Sequence, residues 1–105
     1  MNHAALEFGK MHVDGVALAE VCRRYSVKEL SLFGSAARGE TWPESDVDIM
    51  VESEPGARVG MVRFESFAEE LEALTGRTVD LVTKGGLKPW VRPAVLKDAR
   101  VIYAA

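Results

Sequence analysis

The sequence predicts an α/β (α+β) sandwich: a mixed β-sheet with helices packed mainly on one face. Three observations point there. Stretches 13–25 and 60–74 repeat apolar residues at spacings of three and four, as amphipathic helices do. Shorter apolar runs at 27–33, 46–52, 78–83 and 100–103 have the length and content of strands. The segments alternate along the chain: helix, strand, short helix, strand, helix, strand, helix, strand. A chain of 105 residues is enough for one compact domain. Its expected bounds are 13–105, with 1–12 as an N-terminal extension.

Residues 1–12 show no clear periodicity and are expected to be a frayed or disordered end rather than a metal site, although His3 and His12, the only histidines, lie there. Asp14 is placed to cap a helix whose apolar face is Val13, Val16, Ala17, Leu18, Val21 and Cys22. Cys22 reads as a small buried hydrophobe and Arg23-Arg24 as a solvated corner. After the first strand and a glycine turn comes a polar loop, 41–45, in which Pro43 bars regular structure. Trp42 in that loop suits base stacking or a partner as well as it suits covering the core. Ser53-Glu54-Pro55-Gly56 ends the second strand. The helix over 60–74 should bury Met61, Phe64, Phe67, Ala68, Leu71 and Leu74, and Gly76 suits its left-handed cap. Lys84-Gly85-Gly86 is expected to be a mobile turn near the site, its lysine a solvated one within reach of a triphosphate. Residues 90–98 read as a short helix with Pro93 in the first turn, and 100–103 as an edge strand.

Composition narrows the function classes. Apolar residues at 48% and charged residues at 28% are ordinary for a globular protein. A net charge of -3 is no basic footprint, so direct nucleic-acid binding is not expected, though a local basic patch stays open. The single cysteine excludes an intrachain disulfide and a cysteine zinc cluster, which fits a reducing cytoplasm. No run is apolar enough to span a membrane, and the first residues lack a signal-peptide pattern, so a cytoplasmic protein is expected. The apolar share leaves surface for a homo-oligomer or a partner without locating it.

The chemistry concentrates between Leu32 and Val51. Side chains two apart on a strand share a face, so Asp46 and Asp48 project together while Val47, Ile49 and Val51 take the core side. Their Cα atoms would stand about 7 Å apart, close enough to share a hard cation or a pair of them. Asp-x-Asp alone is compatible with a solvated strand face, but aspartate is a poor strand residue and two together need a reason. Before them, Gly34-Ser35 follows an apolar strand and opens a short helix containing Arg38. Free N–H groups at a helix start attract phosphate, and glycine lets the backbone come close. Ser35 could donate to a phosphate oxygen or simply cap the helix.

Gly34-Ser35-x10-Asp46-x-Asp48, with Ala37-Arg38-Gly39 and Ser45 between, resembles the signature of the polymerase-beta-type nucleotidyltransferases. More narrowly it is similar to the minimal nucleotidyltransferase (MNT) proteins, often antitoxins of HEPN toxins. The resemblance covers most of the chain, and Val79-Asp80-Leu81-Val82 matches the family's third-carboxylate strand. Ile49-Met50 replaces a leucine-containing pair common in the family, a conservative change.

What the resemblance implies is a small nucleotidyltransferase core with Asp80 beside Asp46 and Asp48. The three aspartates would be the catalytic residues and the ligands of two Mg²⁺ ions. Gly34 and Ser35 would seat the ATP phosphates with Arg38 as an auxiliary contact. AMP would pass to a hydroxyl of a HEPN-type toxin, since a chain this short has no room for an acceptor domain. Three other functions fit the same residues: an idle antitoxin acting by binding alone, transfer to a small molecule, and a metal- or nucleotide-sensing module with no transfer.

Overall fold

The computed structural model describes residues 6–8, 11–39 and 46–105. The loop 41–45 with Trp42, and His3, lie outside them. Helix α1 (Gly15–Arg24) starts where expected: the Asp14 carboxylate accepts from the Val16 N–H at 2.9 Å and the Ala17 N–H at 3.3 Å. It buries Leu18, Ala19, Val21 and Cys22, while Val16 stays exposed, so the buried face is narrower than the apolar stripe in the sequence. Ser26, with φ of 56°, turns the chain into the first strand of the main sheet. Arg24 is not merely solvated; it pairs with Glu70 at 2.7 Å, tying the end of α1 to the next long helix.

The main sheet has four strands. Strand β3 (Val27–Phe33) runs antiparallel to both β4 (Val47–Ser53) and β6 (Arg100–Ala104), and β4 is parallel to β5 (Val79–Thr83), in the order β5-β4-β3-β6. The sheet is therefore mixed, and β6 is an edge strand. Helix α2 (Gly34–Ala37) follows β3 directly, and α3 (Met61–Thr75) links β4 to β5, as a parallel pair requires a crossover. Gly76 ends α3 with φ of 68° and donates to the Glu72 carbonyl at 2.8 Å, the left-handed cap read from the sequence.

Strand alternation sorts the side chains. Leu30, Leu32, Val47, Ile49, Val51 and Val79 meet Leu18, Val21 and Cys22 of α1 and Phe67 and Leu71 of α3 in one core. Met61, expected on that apolar stripe, is instead 80% exposed. The other face carries Ser31, Phe33, Asp48, Met50, Asp80 and Val82. Ser31 and Met50 are buried there nonetheless. Helix α4 (Arg92–Asp98), on the connection between the outermost strands, packs against β3 and α2.

Two differences from the sequence reading concern short pieces. Across the expected boundary at 12/13, Leu6–Phe8 (β1) pairs antiparallel with Met11–Val13 (β2). Three-residue strands are too short to show a period of two. The 84–86 segment is a 3₁₀ turn, held by the Thr83 hydroxyl, which accepts from the Gly86 N–H at 3.0 Å. No helix among the described residues is long and apolar enough to cross a membrane.

Candidate active site

The site is built where β3 ends and β4 begins. In the parallel ladder Asp48 stands opposite Asp80, and in the antiparallel one it stands opposite Phe33. Residues paired in register point to the same side, so the Asp48 and Asp80 carboxylates rise from adjacent strands about 4.8 Å apart. Asp46 lies just before β4; hydrogen bonding between β4 and the β5 side starts at Val47, whose N–H reaches the Thr78 carbonyl at 2.8 Å.

Charge and burial conflict here. Asp48 is half-buried, while Asp46 and Asp80 are exposed. Burial, then the charges of Asp80 and Asp46, then a hydrogen bond with Asp80 hold the Asp48 carboxyl above the ordinary carboxylate range. A cation at that point would offset this repulsion.

Gly34 sets the closest approach. Its φ is 64°, and a Cβ built there would lie 2.7 Å from Asp48 Oδ2, well inside van der Waals contact. The turn after β3 is thus pressed against the carboxylate as only glycine allows. Ser35 is not the helix cap: that position is Phe33, with no side-chain cap bond. Arg38 follows α2 and pairs with Asp98 of α4 at 3.5 Å. Lys84 pairs with Glu52 at 3.6 Å, on the same sheet face as Asp48 and two alternations further along.

The fold therefore brings Asp48, Asp80 and Gly34 together, with Asp46 and Ser35 beside them, and turns Arg38 toward α4. Among the described residues no three carboxylate, imidazole or thiol groups close around one point. Asp48 and Asp80 form an open pair, and Asp46 lies two residues before Asp48, exposed. The donors are all carboxylate oxygens, which suit a hard cation such as Mg²⁺. Sequence reasoning missed Asp98 as the partner of Arg38. It also missed Glu72, whose carboxylate accepts from the Val79 N–H at 2.9 Å and ties α3 to the start of β5. Neither has a local signal, since both bonds join separate elements.

A family model described as a nucleotidyltransferase domain matches residues 16–103. The chain belongs to the nucleotidyltransferase family. This nucleotidyltransferase is 42% identical over 84 residues to the protein adenylyltransferase MntA of Thermococcus cleftensis, across 80% of this chain and 81% of that protein. A solved structure of a candidate minimal nucleotidyltransferase superposes with a TM-score of 0.68 at 35% identity, covering 81% of this chain and 84% of that one. A chain from the complex of tri-AMPylated Shewanella oneidensis HEPN toxin with MNT antitoxin shares the fold, with a TM-score of 0.60 at 18% identity over 84% of this chain and 67% of that one. The resemblance read from the glycine turn and the paired aspartates and the family match name the same fold.

Proposed function

We propose that this nucleotidyltransferase transfers AMP from ATP to a hydroxyl of a protein partner, and that the partner is a HEPN-type toxin for which this chain is the antitoxin. The observation that carries the transfer chemistry is the Asp48–Asp80 pair held in register under Gly34. Two sources support the acceptor class: the protein adenylyltransferase relative and the AMPylated toxin complex. The catalytic unit is the domain 13–105.

The roles follow from position. Gly34 and Ser35 line the turn where backbone N–H groups can meet the β- and γ-phosphates. Arg38, at the end of the short helix that Gly34 opens, would exchange Asp98 for phosphate as an auxiliary contact. Asp46, Asp48 and Asp80 would hold Mg²⁺, two ions between them. When bound, these ions neutralise the triphosphate and the leaving group. Asp80, exposed at the rim, accepts the proton of the attacking hydroxyl. The oxygen–phosphorus bond forms at the α-phosphate, the α–β bridge breaks, and pyrophosphate leaves.

Pyrophosphate release, measured with and without a purified HEPN-type protein, tests this. Release that requires both that protein and ATP supports transfer to it. Stable complex formation with no release would replace it by binding alone, and release with a small hydroxyl compound in its place would point to a small-molecule acceptor.

A further inference from the structure

The net charge of -3 hides a sharp division. Residues 84–100 hold five lysines and arginines (Lys84, Lys88, Arg92, Lys97 and Arg100) against Asp98 alone, a net +4; the other positions hold eight basic against fifteen acidic residues, a net -7. The same segment exposes large apolar side chains. Trp90 is 75% exposed, and Val91 and Leu96 of the same segment are exposed as well. The Lys88 ammonium sits 5.4 Å from the Trp90 ring centroid, so the ring stands in solvent under a cation instead of in the core.

Its place in the fold gives this patch meaning. The segment leaves β5 four residues after Asp80, passes through the 3₁₀ turn and α4, and enters β6 at the far edge. Helix α4 rests on β3 and α2, with Asp98 joined to Arg38. Arg92, Lys84, Gly85, Thr83 and Glu52 border a cleft of about 500 Å³ along that path. Through α4, packed on the short helix that Gly34 opens, the segment runs beside the turn that borders the Asp48–Asp80 pair.

We propose that residues 84–100 are the docking surface for the acceptor, and that the acceptor is a protein whose matching surface is acidic around an apolar centre. This rests on the reading of the enzyme as a protein adenylyltransferase. The chemistry selects protein over single-stranded RNA. An RNA strand uses cations for phosphates and aromatic rings for bases, and gains little from valine or leucine. Trp90, Val91 and Leu96 within a basic rim have the anatomy of a protein interface: an apolar anchor, with charge that orients the partner. The other positions sum to a net -7, so charge favours this segment over the rest of the molecule for an acidic partner.

Fluorescein-labelled tyrosine peptides of equal apolar content, one rich in glutamate and one in lysine, and a single-stranded oligouridylate serve as probes of the full chain by anisotropy. The acidic peptide should bind at least about tenfold more tightly than the basic one, and Trp90→Ala or Lys88→Glu/Lys97→Glu should each remove about that factor. Equal affinity for both peptides, variants that bind like the parent, or tight binding confined to the RNA would overturn the proposal. AMP gain is read separately by mass with ATP and Mg²⁺. The expected binding contrast without AMP gain on peptide or protein would overturn the transfer reading and reduce the surface to a plain binding site.

Discussion

At the residue scale, Gly34 and Asp48 are bound to each other. A side chain at Gly34 meets both a left-handed φ and Asp48 Oδ2 at 2.7 Å. Gly34→Ala should therefore cost about 1–3 kcal/mol in urea unfolding, and lose transfer activity beyond what that instability explains. Asp48 carries the opposite kind of strain. Its carboxyl sits above the ordinary range, so its protonated form favours the fold. That contribution is present below the ordinary aspartate value and is lost as pH rises through the higher folded value. At neutral pH without divalent ions the charge destabilises. Asp48→Asn should raise the melting temperature in chelating buffer and flatten its dependence on pH across the carboxylate range. Added Mg²⁺ should raise the melting temperature of the parent and leave the variant nearly unmoved, as scanning calorimetry can check. Cys22 gives a second titration. Burial pushes its thiol from 9.0 up to about 12, so its contribution is complete below the ordinary thiol value and is lost as pH rises through about 12. A thiol reagent at neutral pH should label Cys22 only at the rate of unfolding.

At the element scale, helix α3 shows what periodicity carries and where it stops. Its extent and its Gly76 cap were legible, because a fifteen-residue helix repeats its apolar face several times and the left-handed cap favours glycine. Phe67→Ala should cost about 3–5 kcal/mol by urea unfolding, since the ring is buried against Tyr25, with centroids 5.1 Å apart, and the sheet. The fate of Met61 was not legible. It fits the spacing of Phe64 and Phe67, but whether the first turn of a helix is covered depends on tertiary packing, which spacing does not carry. The β1–β2 ribbon escaped for the opposite reason: its strands are shorter than two periods. Asp46 and Asp48 were readable as a pair because they belong to one stretch. Their meeting with Asp80 depends on β5 lying beside β4, which spacing alone does not fix and which the family resemblance implied.

At the scale of the whole molecule, one sheet separates two tasks. Its inner face is a core closed by α1 and α3, and its other face carries Asp48 and Asp80. Because β4 and β5 are parallel and in register, carboxylates from distant parts of the chain are set side by side by backbone bonds alone. That architecture predicts that activity depends on the charge of the aspartates and far less on their bulk. Asp46→Asn/Asp48→Asn should keep the far-ultraviolet circular dichroism of the parent while transfer disappears. The basic stretch around α4 was hidden by the overall charge, because an average over the chain cancels a net +4 against a net -7. The most direct measurement is the intact mass of a HEPN-type protein after incubation with this nucleotidyltransferase, ATP and Mg²⁺. The carboxylate site predicts a gain of one or more AMP units that is absent with Asp46→Asn/Asp48→Asn. An unchanged mass while the two proteins remain in a stable complex would contradict it.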